Sequence, residues 1–355
     1  MVNALAGEAP TTVALEHLLH LLAWEAPPQA WRPWQAAYDV FLWQRVQYLC
    51  EQSVDDGCIF QALQALSPAR CQRFLRTPQV ARLLYRHDDN EDVWRGGTRL
   101  AGFLLEELGD LDTAACDSAV LPCARRVTLL ADALALDLDG RQTFPDEDGQ
   151  WRTVCHASPE REAVLDQLSD AMAALQHLSP SLAALVTTCI EVLALRCEPE
   201  TPRGLFSSTF SHYVGLVRIT NAHLAEADAP ALMDALVHEA IHCLLYRYEE
   251  SCAPFQSARA WTVTIQSPWT GATIALPSYL QACMVWYGLF HLWRLAAVSG
   301  FGPAPRVAQL AERARVGFCH RPVSEGLIAH RGWIAPAYLD LLLAAEARML
   351  AEPPG

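Results

Sequence analysis

The chain has 355 residues and a formal net charge of −14, with 26 cationic side chains against 40 acidic ones. This balance argues against an extended nucleic-acid-binding surface, which needs a basic face. All 26 cations are arginines because the sequence contains no lysine. The missing lysine excludes Schiff-base catalysis, pyridoxal-phosphate chemistry and any P-loop, since each of these needs a lysine amine.

The N-terminal stretch is rich in leucine but carries no basic segment ahead of an apolar core, and Glu16, His17, His20 and Glu25 interrupt it. It therefore does not have the pattern of a secretion signal. The apolar run 282–290 is too short to span a bilayer. The 12 cysteines include no C-x-x-C pair, which favours reduced, mostly buried thiols. We predict a cytoplasmic protein that does not enter a membrane.

Taken in chain order, the first predicted region is helical. Apolar residues recur at three- and four-residue intervals from residue 12 to about residue 138, which predicts a helical N-terminal domain over 1–138. A polar stretch with glycine and proline follows and predicts a linker over 139–160. Helical periodicity resumes over 163–178 and 182–197. These helices open a second predicted domain, 161–355.

Two later segments have the residue composition and alternation typical of β-structure. Residues 207–220 contain a β-rich run that predicts a short strand directly before a helix. Residues 261–266 alternate apolar and polar side chains, residues 267–271 supply turn chemistry, and 272–276 are again apolar, which predicts a hairpin. The predicted fold is mainly α, with a small antiparallel sheet or hairpin beside the helix described next.

The segment with the clearest chemistry contains His238, Glu239 and His242, an HExxH motif. Asp228 is a suitable N-cap and Pro230 falls in the first turn, so the motif should lie well inside a helix. Residues four apart share one helix face, so the two histidines can bind a common metal ion. The surrounding residues are apolar, and burying two imidazoles and a carboxylate there would be costly without a shared partner. We predict a metal site.

A metal site needs a third protein ligand, and the residues alone leave its identity open. Tyr248 occupies the position where a metzincin has a histidine, so that pattern fails. Glu249 and Glu250 fall near the expected helix end, where solvated charges are typical. Gln281 lies in a later predicted helix, where it fits either a ligand or a capping box with Ser278. His291, on the same helix, is the competing candidate.

Three blocks of sequence, in order, resemble a known family. They are Leu236 to His242, then Ser267-Pro268-Trp269, then Leu280-Gln281-Ala282 with Gly288 and Trp293-Arg294. The chain over roughly 230–295 is similar to the HExxH-motif peptide-modification proteins encoded with ribosomally synthesised peptide pathways. The first half of the chain has no counterpart in this resemblance.

The resemblance implies an iron(II) enzyme that uses 2-oxoglutarate to hydroxylate a side chain of a precursor peptide, with His238, His242 and Gln281 as the metal ligands. Three protein ligands on one face of an octahedral iron(II) leave room for a chelating oxo-acid and for O₂. The distal carboxylate of 2-oxoglutarate then needs a cation, which must be an arginine in this chain. Arg294, Arg259 and Arg218 are the candidates.

Glu239 has a different role in each of two functions that remain open. In the hydroxylase it is not a hydrolytic base, and it either orients a ligand or contacts the substrate. The alternative is a zinc metallopeptidase in which Glu239 is the general base that activates a zinc-bound water. That alternative needs a glutamate or histidine as the third ligand, and no well-placed downstream glutamate is evident. The sequence gives no indication of the oligomeric state.

Overall fold

The computed structural model describes residues 15–52, 56–85, 99–101, 103–104, 128–131, 133–138, 140, 142, 152–154, 159–198, 204–252 and 254–352. Within these residues the protein is mainly α-helical with a small sheet and a separate two-stranded hairpin, as predicted. None of the helices within these ranges combines the length and the apolar character needed to cross a membrane.

Twelve α-helices are described and are numbered here along the chain. They are α1 (Leu18–Leu22), α2 (Arg32–Gln52), α3 (Asp56–Ala65), α4 (Pro68–Arg76), α5 (Pro78–Leu84), α6 (Arg161–Leu178), α7 (Pro180–Cys189), α8 (Ala229–Cys252), α9 (Leu276–Val298), α10 (Ala304–His320), α11 (Val323–Leu327) and α12 (Pro336–Ala351). Short 3-10 helices cover Leu15–His17, Pro28–Trp31, Ala258–Trp261 and Ile328–Trp333. Several helices begin with proline in the first turn, where the missing N–H removes no helical hydrogen bond.

The described strands are β1 (Thr128–Leu130), β2 (Leu134–Asp137), β3 (Arg152–Thr153), β4 (Val192–Cys197), β5 (Phe206–Thr209), β6 (Leu216–Thr220), β7 (Thr264–Gln266) and β8 (Thr273–Ala275). The larger sheet has the order β1-β2-β4-β6-β5, and β3 pairs with the end of β4. The β2–β4 and β4–β6 pairs are parallel, whereas the β1–β2 and β5–β6 pairs are antiparallel. The sheet is therefore mixed, and it is larger than the small antiparallel sheet predicted from the sequence.

Two segments expected to be helical are strands. The predicted helix over 182–197 ends at Cys189, and all six residues of β4 are buried. A strand buried on both faces has a continuous apolar run, which periodicity cannot separate from a buried helix. Likewise β1 and β2 occupy the end of the region predicted to be helical up to residue 138.

Compact packing divides the chain into two units. The described residues of unit 1 come from Pro33–Asp170 and Thr187–Ala231, and those of unit 2 come from Val13–Arg32, Ala171–Val186 and Leu232–Gly355. Each unit therefore combines segments from both of the domains predicted at 1–138 and 161–355. Most of the predicted linker 139–160 lies outside the described residues, and its described part includes β3.

Unit 1 is built on the mixed sheet. A buried ion pair joins neighbouring strands, because the Arg196 guanidinium donates to the Asp137 carboxylate over 3.1 Å and to the Gln142 carbonyl over 2.6 Å. The buried charge pair of Arg196 and Asp137 is tolerated because further hydrogen bonds satisfy the charged groups.

The predicted strand over 207–220 is in fact two antiparallel strands, β5 and β6, with a turn between them.

Unit 2 is centred on α9, which packs against α1, α10, α12 and the β7–β8 hairpin. The hairpin is confirmed, although β7 begins at Thr264 because Trp261 belongs to a 3-10 helix. Of the 23 residues in α9, 16 are buried on all sides of the helix. A helix with this burial pattern is central to its unit.

Candidate metal centre

Helix α8 presents the two histidines of the motif side by side. The helix begins at Ala229, and the Asp228 carboxylate accepts a hydrogen bond from the Ala231 amide over 2.9 Å, which confirms the predicted N-cap. The His238 and His242 rings have centroids 4.9 Å apart and planes tilted by 55°. Two imidazoles this close on one helix face can share a single metal ion.

Helix α9 approaches α8 very closely beside this pair. A Cβ atom added at Gly288 would lie 2.6 Å from Cδ1 of Ile241, so a larger residue there would force the end of that buried side chain to move. The Trp24 indole N–H donates to the Gly288 carbonyl over 3.0 Å and ties α1 to the same point. This close contact sets the distance between α9 and α8, and therefore how near the side chains of α9 lie to the two histidines of α8.

Gln281 connects His242 to a second acidic residue of α8. The Gln281 Oε1 atom lies 2.6 Å from His242 Nδ1, and the Gln281 Nε2 amide donates to Glu249 Oε1 over 2.8 Å. Since the amide nitrogen faces Glu249, the amide oxygen must face His242, and His242 Nδ1 donates to it. The lone pair of neutral His242 is then on Nε2. In this arrangement Gln281 orients the His242 ring, because a metal on Nε2 would lie on the opposite side of the ring from the amide oxygen. Gln281 and His242 can share a metal once the ring proton moves to Nε2 and the metal takes Nδ1 and the amide oxygen together.

The capping-box alternative for Gln281 is wrong. Helix α9 begins at Leu276, three residues earlier than that alternative requires, and its N-cap residue, Ala275, makes no side-chain capping hydrogen bond. The Gln281 side chain is instead buried and is used for the His242 and Glu249 contacts.

Burial keeps both histidines neutral at physiological pH. Desolvation lowers the pKa of His238 well below its usual value, and the neighbouring His242 and the positive Arg313 lower it further. Desolvation also lowers the pKa of His242, against the opposing effect of its hydrogen bond to Gln281. Neutral imidazole is the form that binds a metal ion, so the pair is ready for a cation without first losing protons.

Glu249 is not the solvated charge that its place near the predicted helix end suggested. Helix α8 continues to Cys252, and burial raises the pKa of Glu249 to about 8, opposed by its hydrogen bond from Gln281 and helped by the nearby Glu250. Glu249 follows His242 by seven residues, or two helical turns, and so lies on the same face of α8. That spacing is the sequence signal by which it could have been found.

Two tryptophans and an arginine lie beside His238. The Trp286 ring of α9 meets the His238 ring edge-on at 6.1 Å and stacks on Trp269 at 6.0 Å. The Arg313 guanidinium of α10 lies over the same Trp286 ring, with Cζ 5.0 Å from the centroid. Arg313 could not be selected from the sequence, because only the packing of α10 against α9 brings it to this position.

The three arginines selected from the sequence lie in different surroundings. Arg294, on α9, forms an ion pair with Glu352 and packs over Phe290. Arg259 is exposed at the start of a 3-10 helix, where its backbone amide donates to the Ser257 hydroxyl. Arg218 is buried in β6 of unit 1, with its guanidinium over the Phe210 ring. The structure records no contact of Arg294 or Arg259 with the histidine pair.

His291, the competing candidate for third ligand, belongs to a separate aromatic cluster. Its ring lies 4.5 Å from the Tyr287 ring and 5.3 Å from the Phe290 ring, and its Nε2 atom is buried without a hydrogen-bond partner. Burial and the neighbouring Arg294 lower the pKa of His291 to about 4. The structure does not bring it against His238 or His242.

Glu239 is buried, with 3 % of its surface exposed. Among the described residues no three His, Cys, Asp or Glu side chains converge as a ligand group. The donor set that the structure does bring together is therefore two neutral imidazoles and the Gln281 amide oxygen, with Glu249 behind Gln281. Nitrogen and oxygen donors of this kind fit a first-row divalent metal such as iron(II) or zinc.

Comparison with known proteins does not assign the chain to a family. No protein-family model matches it, and no curated protein matches it significantly.

Proposed function

We propose that the protein is a metal-dependent tailoring enzyme for a ribosomally synthesised precursor peptide, and that it hydroxylates a side chain of the peptide with iron(II) and 2-oxoglutarate. The proposal is supported mainly by the contact of Gln281 with His242, which is 2.6 Å long and partly buried, beside a second neutral histidine. A neutral oxygen donor with two imidazoles is close to the two-histidine, one-carboxylate set of non-haem iron oxygenases.

His238, His242 and Gln281 would hold the metal in this proposal. When bound, iron(II) with 2-oxoglutarate and O₂ would supply the oxidising power: one oxygen atom of O₂ would enter a C–H bond of the peptide, and the other would enter succinate as CO₂ is lost. Because the amide of Gln281 is uncharged, these three ligands leave the full charge of the cation, which favours a dianionic oxo-acid. Glu249 receives the Gln281 amide N–H and so keeps the amide oxygen turned towards His242.

The alternative, a zinc peptidase with Glu239 as general base, draws its support from the HExxH spacing alone. It also needs an acidic or histidine third ligand. The hydrogen bond recorded for Glu249 is with Gln281, and none is recorded to either imidazole. His291 lies in its own aromatic cluster. We therefore place the hydroxylase first.

Mass spectrometry of candidate precursor peptides tests the choice. The protein is loaded anaerobically with iron(II) and then given peptide, 2-oxoglutarate and O₂. We expect a product heavier by one oxygen atom, formed together with succinate, and no product when 2-oxoglutarate is omitted. Cleavage of the peptide by zinc-loaded protein, with fragments that sum to peptide plus water and that vanish in Glu239→Gln, would overturn the hydroxylase in favour of the peptidase.

A further inference from the structure

We propose that Arg313, stacked on Trp286 beside His238, binds the distal carboxylate of the 2-oxo dicarboxylate. This inference rests on the proposed function and adds a residue to it. It replaces the arginines selected from the sequence as the anchor of the co-substrate.

The position of Arg313 is set by one shared side chain. Trp286 meets the His238 ring at 6.1 Å and carries the Arg313 guanidinium at 5.0 Å from its centroid. A single indole therefore links a proposed metal ligand to a cation in the same unit. Arg313 is also close enough to His238 for its charge to lower the pKa of that imidazole.

Packing holds the indole of Trp286 in place. Trp286 is buried and stacks on Trp269, whose indole N–H donates to the Ala314 carbonyl of α10 over 2.9 Å. A side chain at Gly317, one turn further along α10, would overlap the Trp269 ring, so this face of the helix is fitted closely to the indole. The exposed guanidinium of Arg313 lies over this indole at a cation–π distance, and a guanidinium can bind a planar carboxylate through its N–H groups.

The other charges that face Arg313 leave it able to take an anion. The described residues give its guanidinium no ion pair within 4.0 Å. Asp234, one helical turn before His238, is a nearby acid, and its Oδ1 atom accepts a hydrogen bond from the Trp293 indole over 2.8 Å. Arg306 and Arg313 both favour the ionised form of Asp234, although burial raises its pKa overall.

Comparison with the earlier candidates also favours Arg313. Arg294 is engaged with Glu352, whereas Arg259 and Arg313 are both exposed, so exposure does not distinguish these two. The chain has no lysine that could take their place. Arg313 is the one of these arginines that packs on a residue in contact with His238.

Equilibrium binding of two oxo-acids to the zinc-loaded full chain tests the inference without turnover. Titration calorimetry measures the Kd of 2-oxoglutarate and of pyruvate, which lacks the distal carboxylate. Loss of a charge-assisted, bidentate contact in Arg313→Gln should weaken 2-oxoglutarate by about 10- to 100-fold. The affinity for pyruvate should stay unchanged, and Arg313→Lys should recover part of the loss. Arg306→Gln, an exposed arginine of the same helix, is the matched control and should bind both oxo-acids like the wild type.

Three results would overturn the inference. If Arg313→Gln keeps the wild-type affinity for 2-oxoglutarate, the anchor fails and the proposed function stands. If Arg294→Gln loses that affinity instead, Arg294 is the anchor. If the wild type binds metal but neither oxo-acid, both proposals fail together.

Discussion

Replacing Gln281 by leucine removes both hydrogen bonds that organise the candidate metal centre while keeping a side chain of similar size. The change deprives His242 Nδ1 of its 2.6 Å acceptor and Glu249 Oε1 of its 2.8 Å donor. At neutral pH Glu249 is mainly protonated, since its pKa is about 8, so both hydrogen bonds join neutral groups. Leaving a buried polar group without its partner costs about 1–3 kcal/mol, and Gln281 is only 2 % exposed. We expect the metal-free protein to lose about 2–4 kcal/mol of unfolding free energy.

Urea unfolding of the metal-free protein measures this loss, and Gln266→Leu is the matched control. Gln266 is exposed on the hairpin, where its amide donates to the Gly271 carbonyl over 3.3 Å, so the same substitution there should cost at most about 0.5 kcal/mol. Metal affinity of Gln281→Leu should also fall, by at least the roughly 10- to 100-fold typical of residues that orient a ligand. Equal stability and equal metal affinity in Gln281→Leu and the wild type would refute the role given to Gln281.

Three further predictions concern the surroundings of the site. Gly288→Ala places a methyl group against Ile241 and should destabilise the protein by about 1–3 kcal/mol in urea unfolding, whereas Gly332→Ala, with open space around it, should not. Glu249→Ala should weaken metal binding by roughly 10- to 100-fold in a metal titration because Gln281 loses its orienting partner; unchanged affinity would contradict this. His291 has a pKa of about 4 when folded and about 6.5 when unfolded, so its stabilising effect is complete above about pH 6.5 and declines as the pH falls towards 4. The wild type should therefore lose about 2 kcal/mol more stability than His291→Phe between pH 8 and pH 5, and an equal loss in both would contradict the assignment.

Local signals in the sequence predicted the motif helix and the hairpin. Asp228 caps α8 as expected because capping depends on residues within one turn, and the hairpin follows from a turn sequence flanked by short alternating runs. The strand β4 was missed because a buried central strand and a buried helix have the same apolar composition.

The residues beside His238, Trp286 and Arg313, could not be predicted from the sequence for a different reason. Arg313 and Trp286 belong to separate helices, and only the packing of α10 on α9 brings them together. Glu249 does carry a signal, since it falls two turns after His242 on the same helix face, but its closeness to the helix end favoured solvent exposure. The partner that turns Glu249 inwards is Gln281, 32 residues further along the chain.

The central claim is that His238 and His242 present two neutral imidazoles to one divalent metal ion. Anaerobic titration of the metal-free protein with cobalt(II), followed by visible absorption and by elemental analysis after dialysis, measures this directly. We expect one ion for each chain in the wild type, and loss of that ion in His238→Ala and in His242→Ala, both of which should still unfold cooperatively. A wild type that retains no metal, or a His238→Ala variant that retains it with unchanged affinity, would contradict the account.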